Sequence, residues 1–140
     1  MAGATLEPYI YFKGNCRDAM EFYRGIFGGE LDTVTYADGP GGTEAGDADP
    51  AWLMHASLHD GLVNLMASDT QGASETAKKI QLSISGTDEA ALRGAFDGLA
   101  DGGDVRMPLA EAPWGATFGS LTDRYGVEWM VNIFDGERPA

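Results

Sequence analysis

The sequence has one cysteine, Cys16, among its 140 residues, so no disulfide can form within the chain. A chain of this length buries close to about 70% of its unfolded surface and folds without such a staple or a structural metal. It also lacks an apolar run long enough for a signal-peptide core or a membrane span, which together with the lone cysteine gives the expectation of a cytoplasmic protein. Positive charge is scarce: 9 Lys and Arg stand against 22 Asp and Glu, for a formal charge of −13. The resulting field repels phosphate backbones and anionic lipid, so no nucleic acid and no membrane are expected as partners, while a cationic ligand would be drawn in. Solubility alone also accounts for such a surface. There is no Gly-x-Ser-x-Gly elbow and no glycine-rich nucleotide fingerprint; Gly28-Gly29 and Gly102-Gly103 read as helix stops instead. A serine nucleophile and a methyl-donor site therefore have no support.

What is present is order repeated. Leu6 to Phe12 alternates aromatic and β-branched residues and reads as a strand. After Asn15, a good helix N-cap, the residues Ala19, Met20, Tyr23, Ile26 and Phe27 recur at helical spacing until Gly28-Gly29. Glu30 to Tyr36 alternates again, and the run from Asp38 to Asp49 has the composition of a loop, either a plain connection or a lid carrying Asp38, Glu44, Asp47 and Asp49. Trp52 to His59 and Leu62 to Ala67 flank Asp60-Gly61, the signature of a tight hairpin. A two-residue turn predicts His59 opposite Leu62, Ser57 opposite Asn64 and His55 opposite Met66, with Met54, Leu58, Val63 and Leu65 on the other face. From Ile80 the order returns. A strand is followed by a helix capped by Thr87 with Leu92, Phe96 and Leu99 inward, then Val105 to Leu109, and a hairpin of Thr117 to Thr122 and Val127 to Phe134. Polar residues 68–79 read as a linker between the halves.

Two tandem strand-helix-three-strand modules, the helix opening Gly14-Asn15-Cys16-Arg17-Asp18-Ala19-Met20-Glu21-Phe22-Tyr23, and the later Trp114-Gly115, Phe118-Gly119 and Gly126-Val127-Glu128-Trp129-Met130 together resemble the vicinal oxygen chelate superfamily of glyoxalases, bleomycin-resistance proteins and extradiol dioxygenases, in particular its PhnB-like branch. The resemblance spans residues 6–134. It implies an α+β fold, one domain over 1–140, with module 1 over about 5–67 and module 2 over about 80–135, each curling mixed strands around a cleft. Metal-dependent relatives carry one ligand on the first and last strand of each module. Those positions fall here at Glu7 (Pro8 if shifted by one), Asn64, Gln81 or a neighbour, and Met130. One carboxylate, two amides and a thioether are a poor match for a divalent cation, so no metal cofactor and no catalytic residue are expected. An altered set of Glu7, His55 and Glu128 is the alternative; otherwise His55 is a hydrogen-bonded strand histidine and Glu128 a rim carboxylate.

The aromatic residues point elsewhere. Tyr9, Tyr11, Trp52, Trp114, Phe118 and Trp129 are numerous for one small core, and Tyr and Trp suit stacking against a planar guest while offering one hydrogen-bonding edge. Parity with Val127, Val131 and Ile133 assigns Trp129 to the core. The expected ligand-binding residues are Tyr9, Tyr11, His55, Ser57, Asn64, Met66, Trp114 and Met130. His59 is expected at the surface. Cys16, at a helix start whose dipole lowers a thiol pKa, has no neighbouring base in sequence and is expected to be structural. The sequence thus leads to a binding protein for a small apolar or aromatic molecule, an antibiotic being one biological use, and the resemblance implies a homodimer. A metal-dependent isomerase, lyase or dioxygenase is the competing reading.

Overall fold

Tyr9–Phe12 forms the first strand (β1), shorter than expected because Leu6 is 96% exposed and Glu7 and Pro8 precede the ladder. The computed structural model describes residues 6–38, 49–71, 80–113 and 115–135, which belong to two units, Met1–Ser74 and Glu75–Ala140. In the first unit β1 is followed by α1 (Cys16–Phe27), β2 (Glu30–Thr35), β3 (Leu53–His59) and β4 (Leu65–Asp69). The sheet order is β1-β4-β3-β2, with β1 parallel to β4 and the other pairs antiparallel. Helix α1 buries Ala19, Met20, Tyr23 and Phe27, on the same side as Phe12, Ala56, Leu58, Leu65 and Ala67. Each large apolar side chain removed from water in this way contributes about 1.5–3 kcal/mol.

Three expectations for this unit are corrected. Asn15 stands at the helix N-cap but makes no side-chain capping bond. The buried carboxylate of Asp69 does that work, its Oδ1 accepting from Gly14 N at 2.7 Å and Cys16 N at 3.0 Å while Oδ2 accepts from Leu53 N at 3.0 Å. Ser68 and Asp69 accordingly belong to β4 rather than to a linker. The hairpin register is also displaced: Ser57 pairs with Met66, Leu58 with Leu65 and Ala56 with Ala67. The Leu62 N–H is donated to the Phe27 carbonyl at the end of α1 at 3.0 Å, so the residues after Asp60-Gly61 leave the ladder. A displacement of two preserves every face, since side chains alternate with period two.

The second unit repeats the order with β5 (Leu82–Gly86), α2 (Glu89–Ala100), β6 (Asp104–Glu111), β7 (Ala116–Thr122) and β8 (Glu128–Phe134), arranged β5-β8-β7-β6. Strand β5 runs parallel to β8. Leu92, Phe96 and Leu99 are buried as expected, with Trp129, Val131 and Ile133. The cap of α2 is Asp88, not Thr87: its Oδ1 accepts from Ala91 N at 3.1 Å. Asp123, also buried, accepts from Tyr125 N and Val127 N through Oδ1 and from Trp129 Nε1 at 2.9 Å through Oδ2, which fixes the tryptophan in the core.

Candidate functional site

Strand alternation places Tyr9, Tyr11, His55, Ser57, His59 and Met66 on the face of the first sheet opposite α1. Register sets Tyr9 beside Met66, Met66 beside Ser57 and Ser57 beside Asp32, a row across all four strands. The rings of Tyr11 and Tyr9 have centroids 5.2 Å apart, and those of Tyr9 and His55 5.8 Å apart, in tilted contact. Tyr9 Oη lies 3.2 Å from His55 Nδ1, within hydrogen-bond reach. Tyr9 is 40% and Tyr11 60% exposed, while His55, Ser57 and Met66 are half-buried. An aromatic ladder of this kind offers flat apolar area at low conformational cost, with a hydroxyl and an imidazole at its edge.

The remaining expected residues are distributed differently. Asn64 is exposed in the loop before β4, opposite neither Ser57 nor any other paired residue. Met130 is half-buried on β8 of the second unit, beside Ser83 and Ser120, and Gln81 is exposed ahead of β5. Trp114 and residues 39–48, with Glu44 and Asp47 of the expected lid, lie outside the described residues. Glu7 and His55 belong to the first unit and Glu128 to the second, so neither unit assembles the alternative metal set by itself. Nor is Glu128 a rim carboxylate. It is buried on β8 and paired with the Arg106 guanidinium, which reaches across β7 from a bulge in β6.

His59 sits in a network that sequence reasoning did not anticipate. Its Nε2 is 2.7 Å from Asp32 Oδ2 and its Nδ1 2.9 Å from Asp60 Oδ2, and these hydrogen bonds, Asp32 first, raise the imidazole pKa above its ordinary value. Register pairs it with Glu30 on β2, and the period-two alternation of that strand is the signal that would have located the cluster. Cys16 is fully buried, and desolvation followed by the Asp69 charge pushes its thiol pKa up to about 12. Burial therefore overrides the helix dipole, and the thiol is inert at neutral pH. Burial and then the Asp69 charge also raise the pKa of Tyr36, whose hydroxyl donates to the Asp69 carbonyl at 2.7 Å.

Comparison with known proteins agrees with this architecture. Residues 5–131 match the family model of the Glyoxalase/Bleomycin resistance protein/Dioxygenase superfamily. Protein PA1353 from Pseudomonas aeruginosa superposes with a TM-score of 0.80 at 39% identity, over 94% of this chain and 98% of that one. The PhnB protein from Bacillus cereus gives 0.72 at 24% identity, over 93% and 99%, and supports the fold alone. Protein YjdN of Escherichia coli K12 is 29% identical over 91% of this chain and 94% of its own length. Among the described residues no helix is long and apolar enough to cross a membrane.

Proposed function

The chain belongs to the glyoxalase/bleomycin resistance protein/dioxygenase superfamily, and from that premise we propose that it binds a small apolar or aromatic molecule on the face carrying Tyr9 and Tyr11, holding the guest without transforming it. The observation that carries the reading is the exposed Tyr11–Tyr9–His55 ladder, in which the rings are already in contact and await a further planar partner. Pre-assembly lowers the ordering cost of binding, and Ser57 and Met66 in the same row add a polar and a soft apolar contact. The acidic surface favours a cationic guest, a cationic antibiotic among them, and the protein acts as a cytoplasmic homodimer.

Catalysis through a bound cation has less support. The family positions Glu7, Asn64, Gln81 and Met130 supply a single carboxylate, and the charge of Glu128 is already offset by Arg106. Titration with planar cationic and neutral aromatic compounds, followed by tryptophan fluorescence, tests the proposal. Saturable binding is expected, weakened several-fold in Tyr9→Ala and in Tyr11→Ala, in line with about 1 kcal/mol per lost ring contact. Unchanged affinity in both variants, or chemical conversion of the bound compound, would defeat it.

A further inference from the structure

We propose that Glu30, His59 and Asp60 form a binding site for a divalent transition-metal ion, with Asp32 as its positioning residue. A ring nitrogen of His59 and one carboxylate oxygen each from Glu30 and Asp60 lie within 4.8 Å of one another, the one such grouping among the described residues. Three donors each about 2.1 Å from one ion stand roughly 3–3.6 Å apart, so closing the set needs side-chain movements of about an ångström, within reach of the exposed Glu30 and Asp60. The imidazole distinguishes this set from an ordinary acidic patch. The two ring nitrogens face carboxylates, Nε2 at 2.7 Å from Asp32 and Nδ1 at 2.9 Å from Asp60; a metal takes the place of the proton at Nδ1 while Asp32 keeps the N–H of Nε2. A carboxylate that orients a histidine in this way is the usual outer partner of a metal-bound imidazole. One nitrogen and two carboxylate oxygens suit Zn²⁺, Mn²⁺, Co²⁺ or Ni²⁺, and exposure of Glu30 and Asp60 leaves room for water to complete the shell.

The site is separate from the family's ligand positions and from the aromatic ladder, so it stands or falls independently of guest binding. It also means that metal found in the purified protein need not report a catalytic centre. Tag-free full-length protein titrated with Zn²⁺ in a calorimeter should bind one ion per chain. His59→Ala should abolish that binding. Asp32→Asn should weaken it about 10–100-fold while keeping the one-to-one stoichiometry. His55→Ala and Asp97→Asn, an exposed carboxylate on α2, should leave it unchanged. No heat of binding up to millimolar Zn²⁺, binding that survives His59→Ala, loss in His55→Ala, or an equal loss in Asp97→Asn would each overturn the site.

Discussion

The two units solve the same problem by different means. Each must join the end of its helix to the turn of its last hairpin, and each uses a glycine pair to let backbone approach backbone. In the first unit the join is main chain on main chain: Leu62 N–H donates to Phe27, and a Cβ on Gly29 would meet the His59 carbonyl and come within 2.8 Å of Gly61 N. In the second unit Gly103 makes the same close approach, to the Thr122 carbonyl, and a side chain is added to it, Arg124 donating from Nε at 3.1 Å and from Nη2 at 3.0 Å to the Asp101 carbonyl, with the Asp101 carboxylate alongside at 3.2 Å. Among the described residues each unit also buries one aspartate. Asp69 accepts from donors 16, 53 and 55 residues away, whereas Asp123 accepts from donors 2, 4 and 6 residues away. The repeated order is thus kept by shape, while the polar parts that lock it have diverged.

The sharpest break in that comparison is at the aspartates. Asp69→Ala leaves three backbone donors unsatisfied in two distant chain segments and should cost about 3–5 kcal/mol in urea unfolding. Asp123→Ala, which removes bonds to Tyr125, Val127 and Trp129, should cost about 2–3 kcal/mol. A larger loss for Asp123 would reverse the assignment of long-range and local roles. The glycines come next. Gly29→Ala should destabilise by about 2–4 kcal/mol, because backbone cannot yield and its φ of 97° strains an L residue. Gly102→Ala meets only the movable tip of Arg124 and should cost about 1–2 kcal/mol. Equal melting temperatures for these two variants would show that contact with backbone costs no more than contact with a movable side chain. Arg124→Ala should lose about 0.5–1 kcal/mol, since the side chain is partly solvated.

The smallest effect is electrostatic. Because the native pKa of His59 is raised, protonation favours the folded state: its contribution is fully present below about pH 6.5 and fades as pH rises through the native value. The stability difference between the wild type and His59→Gln should therefore be greatest in mildly acidic buffer and shrink toward alkaline pH. A difference that grew with pH would contradict the hydrogen bonds to Asp32 and Asp60.

Much of the fold was legible because it is written in periodicity. Alternation gave the strand faces, the spacing of Ala19, Met20, Tyr23 and Phe27 gave α1, and the glycine pairs marked both helix ends. Those same faces placed Tyr9, Tyr11, His55, Ser57 and Met66 together in the first sheet. What stayed hidden depends on partners distant in sequence. Asp69 looks like one more polar residue of a linker until Gly14, Cys16 and Leu53 converge on it. Asp60-Gly61 announces a tight hairpin, but the Phe27 carbonyl at the end of α1 competes for Leu62. Glu128 reads as an available carboxylate because a β-bulge, which no local pattern reveals, aims Arg106 at it.

The parallel pairing of β1 with β4 has a mechanical corollary. Residue 9 and residue 69 lie at opposite ends of a ladder that runs Tyr9 to Met66 through Phe12 to Asp69. Tension applied between those two points loads the ladder lengthwise, so its hydrogen bonds must yield together instead of unzipping in turn. The first unit should accordingly resist extension with a brittle, single-step rupture governed by its unfolding rate.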